Sequence, residues 1–333
     1  MKRRELGRGG PKVFPIGVGA MSFADFYGAT TESNSFAILD AAMAAGVNHI
    51  DTANVYGMGR SEETIGSYLK SRPEAREFFC IATKGSIRRH EGGKGNFVDN
   101  SPEQLEAALD ASLKRLGVDA VDLIYVHRRD PDVPIEDVTE TLAGFVRAGK
   151  AHGIGYSEIA PTSLRRAHAV HPVTAVQSEY SLATRSPELG LVQTCAELGV
   201  ALVAFSPVGR SLLTDNPLSF EAVLDIPFLK NNPRFTQPNY DANIAMTMPF
   251  RALAADMGVP AAGLANAWLL AQGDHVIPIP GTRSVTHFQE ILQGAAMELT
   301  SDDLAAIDAV LPVGWAHGDR YNTAQWAAPE RYC

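Results

Sequence analysis

Four polar side chains with complementary chemistry occur where apolar segments of the sequence end. Asp51, Lys84 and His127 each come directly after a short apolar run, and Tyr56 lies in the loop that follows Asp51. In a β/α barrel the carboxyl ends of the strands share one rim, so these side chains would lie together. Each also has an ordinary structural interpretation: an aspartate caps a helix, a lysine is solvated, and a histidine or tyrosine packs in a loop.

Together the four residue types suit the reduction of a carbonyl group. Negative charge grows on the carbonyl oxygen as hydride reaches the carbon, so a proton donor must stand there. A phenol is a weak acid at neutral pH, and we expect Lys84 to lower the pKa of Tyr56. Asp51 would keep Lys84 charged and fixed. His127 would supply a hydrogen bond that orients the substrate oxygen, or it would join the proton relay.

The elements that must hold these residues are predicted from apolar runs that alternate with amphipathic stretches. Short runs rich in β-branched and aromatic residues indicate buried parallel strands. Helix signals lie between them, including Ser101 followed by Pro102, Ser186 followed by Pro187, and a terminal glycine at Gly46. The predicted strands cover residues 17–21, 47–50, 78–83, 121–126, 153–156, 175–176, 201–205 and 276–279.

A repeated strand–helix order allows either an open doubly wound sheet or a closed barrel. No linker or change of composition divides the chain, which favours a single domain over residues 1–333. The stretch 210–246 is rich in proline and asparagine and lacks a helical period, so we expect a long loop there. The predicted fold is therefore an α/β fold, a (β/α)8 TIM barrel with long loops at its C-terminal face.

Two glycine motifs resemble nucleotide-binding loops but fail in context. The segment from Gly144 to Lys150 has the spacing of a phosphate loop, yet Ala151 replaces the usual hydroxyl residue and a helical pattern precedes it. We interpret this segment as the end of a helix. The second motif begins at Gly153 and has Glu158 where a Rossmann fingerprint needs its third glycine.

The composition indicates a globular protein and argues against some classes of binding partner. Hydrophobic residues make up 45% of the chain and charged residues 20%, enough for a sizeable core. A net charge of −9 argues against nucleic acid or an anionic membrane as the main partner. Cys80, Cys195 and Cys333 show no disulfide or zinc spacing, so we expect neither a disulfide framework nor a zinc site. This cysteine usage favours a reducing, cytoplasmic compartment. No signal peptide or membrane-spanning run is recognisable.

The four residues resemble the catalytic tetrad of the aldo-keto reductase superfamily, and the resemblance covers nearly the whole chain. The matching segments contain Asp51, Tyr56, Lys84 and His127 in the family's order, and the segment from Arg4 resembles its N-terminal β-hairpin. The resemblance implies a (β/α)8 barrel, NADPH or NADP+ as cofactor, no metal, and a small-molecule carbonyl substrate. Loops similar to those of bacterial and fungal aldehyde or pyridoxal reductases imply small or aromatic, pyridoxal-like or dicarbonyl compounds.

The same resemblance implies which residues hold the cofactor. Ser157 and Gln177 match positions that hold the nicotinamide carboxamide, and Glu158 stands beside them where many members have asparagine. Phe205 matches the aromatic residue stacked on the nicotinamide ring. The residues that match the loop over the pyrophosphate are Ser206, Val208, Gly209 and Arg210.

Near the C-terminus a further segment resembles the family's loop around the adenosine 2′-phosphate. Its guanidinium, on Arg283, has the planar fork that suits a phosphate. Glu290 is retained, but His287 stands where many members have arginine, and Ile291 replaces an asparagine. A preference for NADP over NAD is therefore expected to rest on Arg283. The residues of the segment itself are Gly281, Thr282 and Arg283.

Two other functions fit part of the pattern. A barrel aldolase would use Lys84 as a Schiff-base amine, but this leaves Tyr56 and Arg283 without a role. A non-catalytic cofactor-binding subunit would not need the intact tetrad. Aromatic residues that could line a substrate pocket are Phe23, Phe26, Tyr27, Trp315 and Trp326.

Overall fold

The computed structural model describes residues 2–90 and 95–332. Its strands are β1 Arg4–Glu5, β2 Lys12–Val13, β3 Val18–Gly19, β4 His49–Asp51, β5 Cys80–Gly85, β6 Ile87–Arg89, β7 Asn96–Val98, β8 Leu123–Val126, β9 Ile154–Ser157, β10 Ala175–Glu179, β11 Ala201–Phe205 and β12 Val276–Pro278. Its α-helices are α1 Glu32–Ala45, α2 Arg60–Ser71, α3 Glu74–Phe78, α4 Pro102–Leu116, α5 Ile135–Arg147, α6 Pro161–Val170, α7 Leu191–Leu198, α8 Phe220–Leu224, α9 Asn239–Asp256, α10 Ala261–Ala271, α11 Val285–Gln293 and α12 Ser301–Val310. Short 3₁₀ helices cover Ala20–Ala24, Tyr56–Gly59, Ser186–Leu189, Gly209–Ser211, Pro233–Phe235, Gly294–Ala296 and Gln325–Ala327.

Eight of the strands form one parallel sheet that closes into a barrel. Their order is β3, β4, β5, β8, β9, β10, β11 and β12, the order of the chain. The two edges of this sheet are joined because Gly17 N donates to Pro278 O and Gly19 N donates to Pro280 O, both at 2.9 Å. The predicted (β/α)8 barrel is confirmed.

The N-terminal hairpin closes the barrel at the amino ends of the strands. Strands β1 and β2 pair antiparallel, with Arg4 opposite Val13. Arg8 N, in the turn between them, donates to the carbonyl of Gly199, which precedes β11, at 2.7 Å. Leu6 and Val13 pack with the apolar side chains that fill the barrel interior. The carboxyl ends of the strands are left open for a functional site.

Local sequence explains where several helices begin and end. The Thr31 hydroxyl accepts from Asn34 N at the start of α1, and Gly46 ends that helix in the left-handed region at φ 77°. Helix α4 begins at Pro102, as predicted. Helix α5 ends before Gly149, whose φ is 73°. The segment that mimics a phosphate loop is therefore a helix end, as its flanking sequence indicates.

The prediction of a long loop over 210–246 is partly wrong. Helix α8 lies within this stretch and α9 begins at Asn239. The buried face of α9 contains polar residues that hide its apolar period, among them Asn243 and Thr247. The Asn243 amide donates to the carbonyls of Arg234 and His317, both at 3.0 Å, so its burial is compensated by hydrogen bonds.

Two further features concern the cysteines and the membrane. Cys80 and Cys195 are buried and free, and Cys333 lies outside the described residues. Among the described helices none alone combines the length and apolar character needed to cross a membrane. Helices α9 and α10 reach that threshold only as a pair, bent by 89°.

Candidate active site

The ammonium of Lys84 lies at the centre of a buried cluster at the carboxyl ends of β4 and β5. Its side chain is fully buried and forms an ion pair with Asp51, the last residue of β4. Lys84 Nζ also donates to Thr52 O at 2.8 Å and to Tyr56 Oη at 3.2 Å. The turn after β4 returns Tyr56 to the rim, with Gly57 in the left-handed region at φ 61°.

His127 and Gln177 complete this cluster from neighbouring strands. His127 follows β8 directly, and its ring meets the Tyr56 ring edge-on with the centroids 5.8 Å apart. Its Nδ1 is buried and has no hydrogen-bond partner among the described residues. The Gln177 amide, in β10, donates to the second oxygen of Asp51 at 2.7 Å. The structure thus brings the predicted tetrad together and adds Gln177 as a support for Asp51.

Burial and charge set the protonation of the cluster. Burial raises the pKa of Tyr56, although Lys84 opposes that rise. Burial by itself would lower the pKa of Lys84, but Asp51 and Tyr56 outweigh it and the pKa is raised. Burial, together with Arg128 and Lys84, holds the pKa of His127 well below its ordinary value. The expected lowering of the phenol pKa is therefore outweighed by burial, and the tyrosine is protonated, the lysine charged and the histidine neutral at neutral pH.

A cavity of about 440 Å³ opens above this cluster. Lys84 lies behind Asp51 and Tyr56 and does not line it. Arg210 lines the cavity, but its guanidinium donates to Glu179 Oε2 at 2.5 Å. The predicted site residues that line the cavity are Asp51, Tyr56, His127, Ser157, Gln177, Phe205, Ser206, Val208, Arg210, Gly281, Thr282, Arg283, His287 and Glu290.

Two predicted cofactor residues, Glu158 and Gly209, are not among the cavity-lining residues. Glu158 Oε1 accepts from Glu179 N at 2.8 Å, and Oε2 is paired with Arg320. Its geometry therefore does not support a contact with a cofactor amide. Gly209 is buried and begins the 3₁₀ helix Gly209–Ser211.

A buried charge cluster beside the cavity was missed by sequence reasoning. Glu179, the last residue of β10, lies within ion-pair distance of Arg210, Arg234 and Arg320. Burial would raise the pKa of Glu179, but the three arginines hold it below its ordinary value. Because Arg320 lies in the segment after α12, the cluster fixes the C-terminal segment against the rim. Nothing local in the sequence marks partners that are so far apart in the chain.

The loop after β12 forms the far end of the cavity. Arg283 is exposed, donates to Ala29 O at 2.9 Å, and has no acidic partner within ion-pair distance among the described residues. The Ser284 hydroxyl caps α11 by accepting from His287 N at 3.3 Å. A Cβ on Gly281 would lie 2.7 Å from Gly19 O, so only glycine allows this loop to pack against β3.

The aromatic wall of the cavity differs from the predicted one. Of the five candidates only Tyr27 lines the cavity, where Phe228 and Tyr321 join it. Phe23 is in the core, and the indole N–H of Trp315 donates to Leu182 O at 2.8 Å. Phe26 packs on Tyr27 and Phe228, and Trp326 packs on Tyr321, so both stand behind the wall.

Comparison with known proteins agrees with this architecture. The Aldo/keto reductase family model matches residues 15–312. A probable aldo-keto reductase of Glycine max is 38% identical over 95% of this chain and 91% of the relative. The aldo-keto reductase yakc of Schizosaccharomyces pombe, whose name includes NADP(+), is 35% identical over 94% of this chain and 93% of its own.

Solved structures show the same likeness. A glycerol dehydrogenase of Gluconobacter oxydans superposes with a TM-score of 0.81 at 25% identity, covering 93% of this chain and 94% of that one. An aldo-keto reductase of Bacillus halodurans in its holo form superposes with a TM-score of 0.78 at 26% identity, covering 98% of this chain and 99% of that one. Fold and site together define a barrel oxidoreductase. The chain belongs to the Aldo/keto reductase family, which uses nicotinamide cofactors and acts on small carbonyl compounds.

Proposed function

We propose that the chain reduces aldehydes or ketones to alcohols with NADPH, and that Tyr56 is the proton donor. The observation that carries this proposal is the 3.2 Å contact between Lys84 Nζ and Tyr56 Oη below a cavity of about 440 Å³. NADPH, when bound, supplies the hydride that forms the new C–H bond of the alcohol. The name of the fission-yeast relative supports NADP as the cofactor.

The proton step depends on the charge of Lys84. Burial keeps the Tyr56 phenol protonated in the free protein, so the proton is available when a carbonyl oxygen arrives. As Tyr56 gives up this proton, Lys84 stabilises the phenolate that forms. Asp51 keeps the ammonium charged and in place, and its action is strong because water is excluded from the pair.

His127 orients the substrate in this proposal. Its low pKa leaves the imidazole neutral, with one N–H donor and one acceptor nitrogen. The buried Nδ1 has no partner among the described residues, and a buried polar atom in that state points to a role in function. A hydrogen bond from the imidazole N–H to the carbonyl oxygen would hold it beside Tyr56.

The residues around the cavity fit a phosphorylated dinucleotide. Arg283 has no acidic partner among the described residues and stands beside the N-terminus of α11, where backbone N–H groups favour an anion. Arg283 would hold the 2′-phosphate, and Ser157 and Gln177 would hold the carboxamide. Phe205 would contact the nicotinamide ring. The loop that contains Ser206 and Val208 would cover the pyrophosphate.

The geometry disfavours a Schiff-base aldolase. An amine must lose its proton before it attacks a carbonyl carbon, and Asp51 and Tyr56 together raise the pKa of Lys84. The side chain is also fully buried behind Tyr56. Lys84 therefore acts as a fixed cation.

The test is the consumption of NADPH and NADH with a panel of aliphatic, aromatic and dicarbonyl substrates. We expect carbonyl-dependent oxidation of NADPH, slower with NADH. A chain that binds NADPH but oxidises it with no member of the panel would contradict the proposed activity and favour a non-catalytic cofactor-binding subunit.

A further inference from the structure

Two arginines that line the cavity form no ion pair with any residue in 2–90 or 95–332. Arg128 and Arg283 form no ion pair among the described residues, whereas Arg210 is neutralised by Glu179. Unpaired guanidinium groups that face a cavity suit anions, because their N–H donors can form charge-assisted hydrogen bonds. The cavity therefore offers two separate positions for negative charge.

The two arginines lie at different parts of the barrel mouth. Arg283 follows β12, while Arg128 follows His127 at the end of β8. In the sheet, β9, β10 and β11 separate these strands. Arg128 affects the pKa values of both Tyr56 and His127, so its charge lies at the reacting end of the cavity. A dinucleotide with its phosphates at Arg283 leaves Arg128 without an anion.

Arg128 is held in place and retains free donors. Its backbone N–H donates to Ser86 Oγ at 3.0 Å, and its carbonyl accepts from the Asn100 amide at 3.1 Å. Its side chain donates only from Nη1, to His127 O at 2.6 Å and Ser157 Oγ at 3.0 Å. Within the described part of the chain, Nε and Nη2 have no hydrogen-bond partner, and this edge of the guanidinium matches two carboxylate oxygens.

A second cavity lies beyond Arg128. It has a volume of about 350 Å³, is bordered by β7 and the 3₁₀ helix Gln325–Ala327, and is lined by Arg128 and Arg129. Arg129 is paired with Glu330, so Arg128 is the cation of this lining that no ion pair among the described residues neutralises. No acidic side chain from residues 2–90 or 95–332 lines it. Arg128 lines both cavities, so a group that extends from the reacting carbonyl toward the second cavity passes this guanidinium.

We propose that Arg128 binds a carboxylate on the substrate, and that the preferred substrates are aldehydes or ketones that carry a carboxylate beside the reacting carbonyl. This inference rests on the proposed carbonyl reduction and names its substrate class. Arg128 is thus a specificity-determining residue.

The test compares isomeric carboxybenzaldehydes with their neutral methyl esters, using NADPH and wild-type, Arg128→Met and Arg128→Lys chains. For at least one isomer, wild type should prefer the acid, and Arg128→Met should lower its kcat/KM roughly 10- to 100-fold, the effect of one charge-assisted pair. The kcat/KM of the ester should fall clearly less than that of the acid, because the ester has no charge for Arg128 to bind. The kcat/KM of Arg128→Lys for the acid should lie between those of wild type and Arg128→Met, since lysine supplies a positive charge without the planar fork of arginine. Arg89→Met, which removes an exposed charge outside both linings, should match wild type.

Two results would overturn this assignment. A similar loss for acids and esters would make Arg128 a support for Ser157 and His127, and equal wild-type rates would remove the carboxylate preference; both leave carbonyl reduction intact. Binding tests the assignment without turnover. By calorimetry with NADP+ present, terephthalate should bind wild type at least about tenfold more tightly than its monomethyl ester, and Arg128→Met should abolish this difference. An unchanged difference contradicts the proposal even if no aldehyde is reduced.

Discussion

The buried side chain of Lys84 supplies a fixed positive charge to the site, and every N–H donor of its ammonium has a hydrogen-bond partner. The three N–H donors of its ammonium have three acceptors, in Asp51, Thr52 O and Tyr56 Oη. A buried charge persists only when it is paired and hydrogen-bonded in this way. The position of each residue at a strand end made the group predictable, because carboxyl ends of parallel strands share one rim.

Replacing Lys84 with methionine should nearly abolish turnover at neutral pH. The phenolate of Tyr56 would lose its stabilising cation, and we expect kcat to fall by roughly 100-fold or more, within the usual range for acid–base catalysis. Steady-state rates measured beside Lys70→Met, an exposed lysine on α2, separate this effect from a general loss of charge. Normal turnover in Lys84→Met at neutral pH would refute the role of the ammonium.

His127 should make stability depend on pH. Its pKa in the folded chain is well below its ordinary value, so the unfolded chain binds a proton first as the pH falls. The contribution of the neutral His127 imidazole to the stability of the fold is complete above the ordinary pKa of about 6.5, and it is lost as the pH falls below that value. When the pH falls from about 7 to 5.5, the unfolding free energy of wild type should decrease by roughly 1 kcal/mol more than that of His127→Gln. Urea titrations at both pH values measure this difference, and parallel losses would contradict it.

At the scale of elements, prediction succeeded where side chains were uniformly apolar and failed where polar groups were buried. Strand β10 continues past its predicted end through Gln177, Ser178 and Glu179, all buried. Gln177 donates to Asp51, in another strand, and Glu179 pairs with arginines from distant loops, so no local pattern reveals that these polar residues are buried. The sequence did not predict helix α9 for the same reason, because its buried face contains polar residues.

The loop between β12 and α11 should determine the choice of dinucleotide. Arg283→Ala should weaken NADPH binding about 10- to 100-fold and scarcely change NADH binding, because only NADPH carries the 2′-phosphate. His287→Arg, one turn into the same cavity wall, should strengthen NADPH binding by adding a permanent charge. Fluorescence titrations of both cofactors test this. Equal weakening of the two by Arg283→Ala would show that Arg283 does not recognise the 2′-phosphate.

At the scale of the whole molecule, the segment after α12 is attached to the barrel through buried charges. Arg320 pairs with Glu158, directly after β9, and with Glu179, the last residue of β10. The closed barrel and its N-terminal hairpin could be predicted, since strand order follows chain order. The position of this segment could not, because it depends on a few contacts between residues far apart in sequence.

Removing Arg320 should destabilise the entire fold. Arg320→Met leaves Glu158 buried without its partner, and breaking a buried pair in this way costs about 3–5 kcal/mol. Arg166→Met, which breaks the exposed pair with Glu136, should reduce the unfolding free energy far less, because solvent screens that pair. Thermal or urea unfolding of both variants gives the comparison. Equal small losses would mean that the buried cluster contributes little to stability.

The most direct test of the proposed function is Tyr56→Phe, measured for both NADPH binding and carbonyl reduction. The substitution removes one hydroxyl and leaves the ring beside His127, so NADPH should bind with unchanged affinity. Turnover with the best wild-type substrate should fall by at least about 100-fold, because the phenylalanine ring has no proton to give to the carbonyl oxygen. Tyr56→Phe that retains more than about a tenth of wild-type turnover, a loss below roughly 1.4 kcal/mol, would contradict the assignment of Tyr56 as the proton donor.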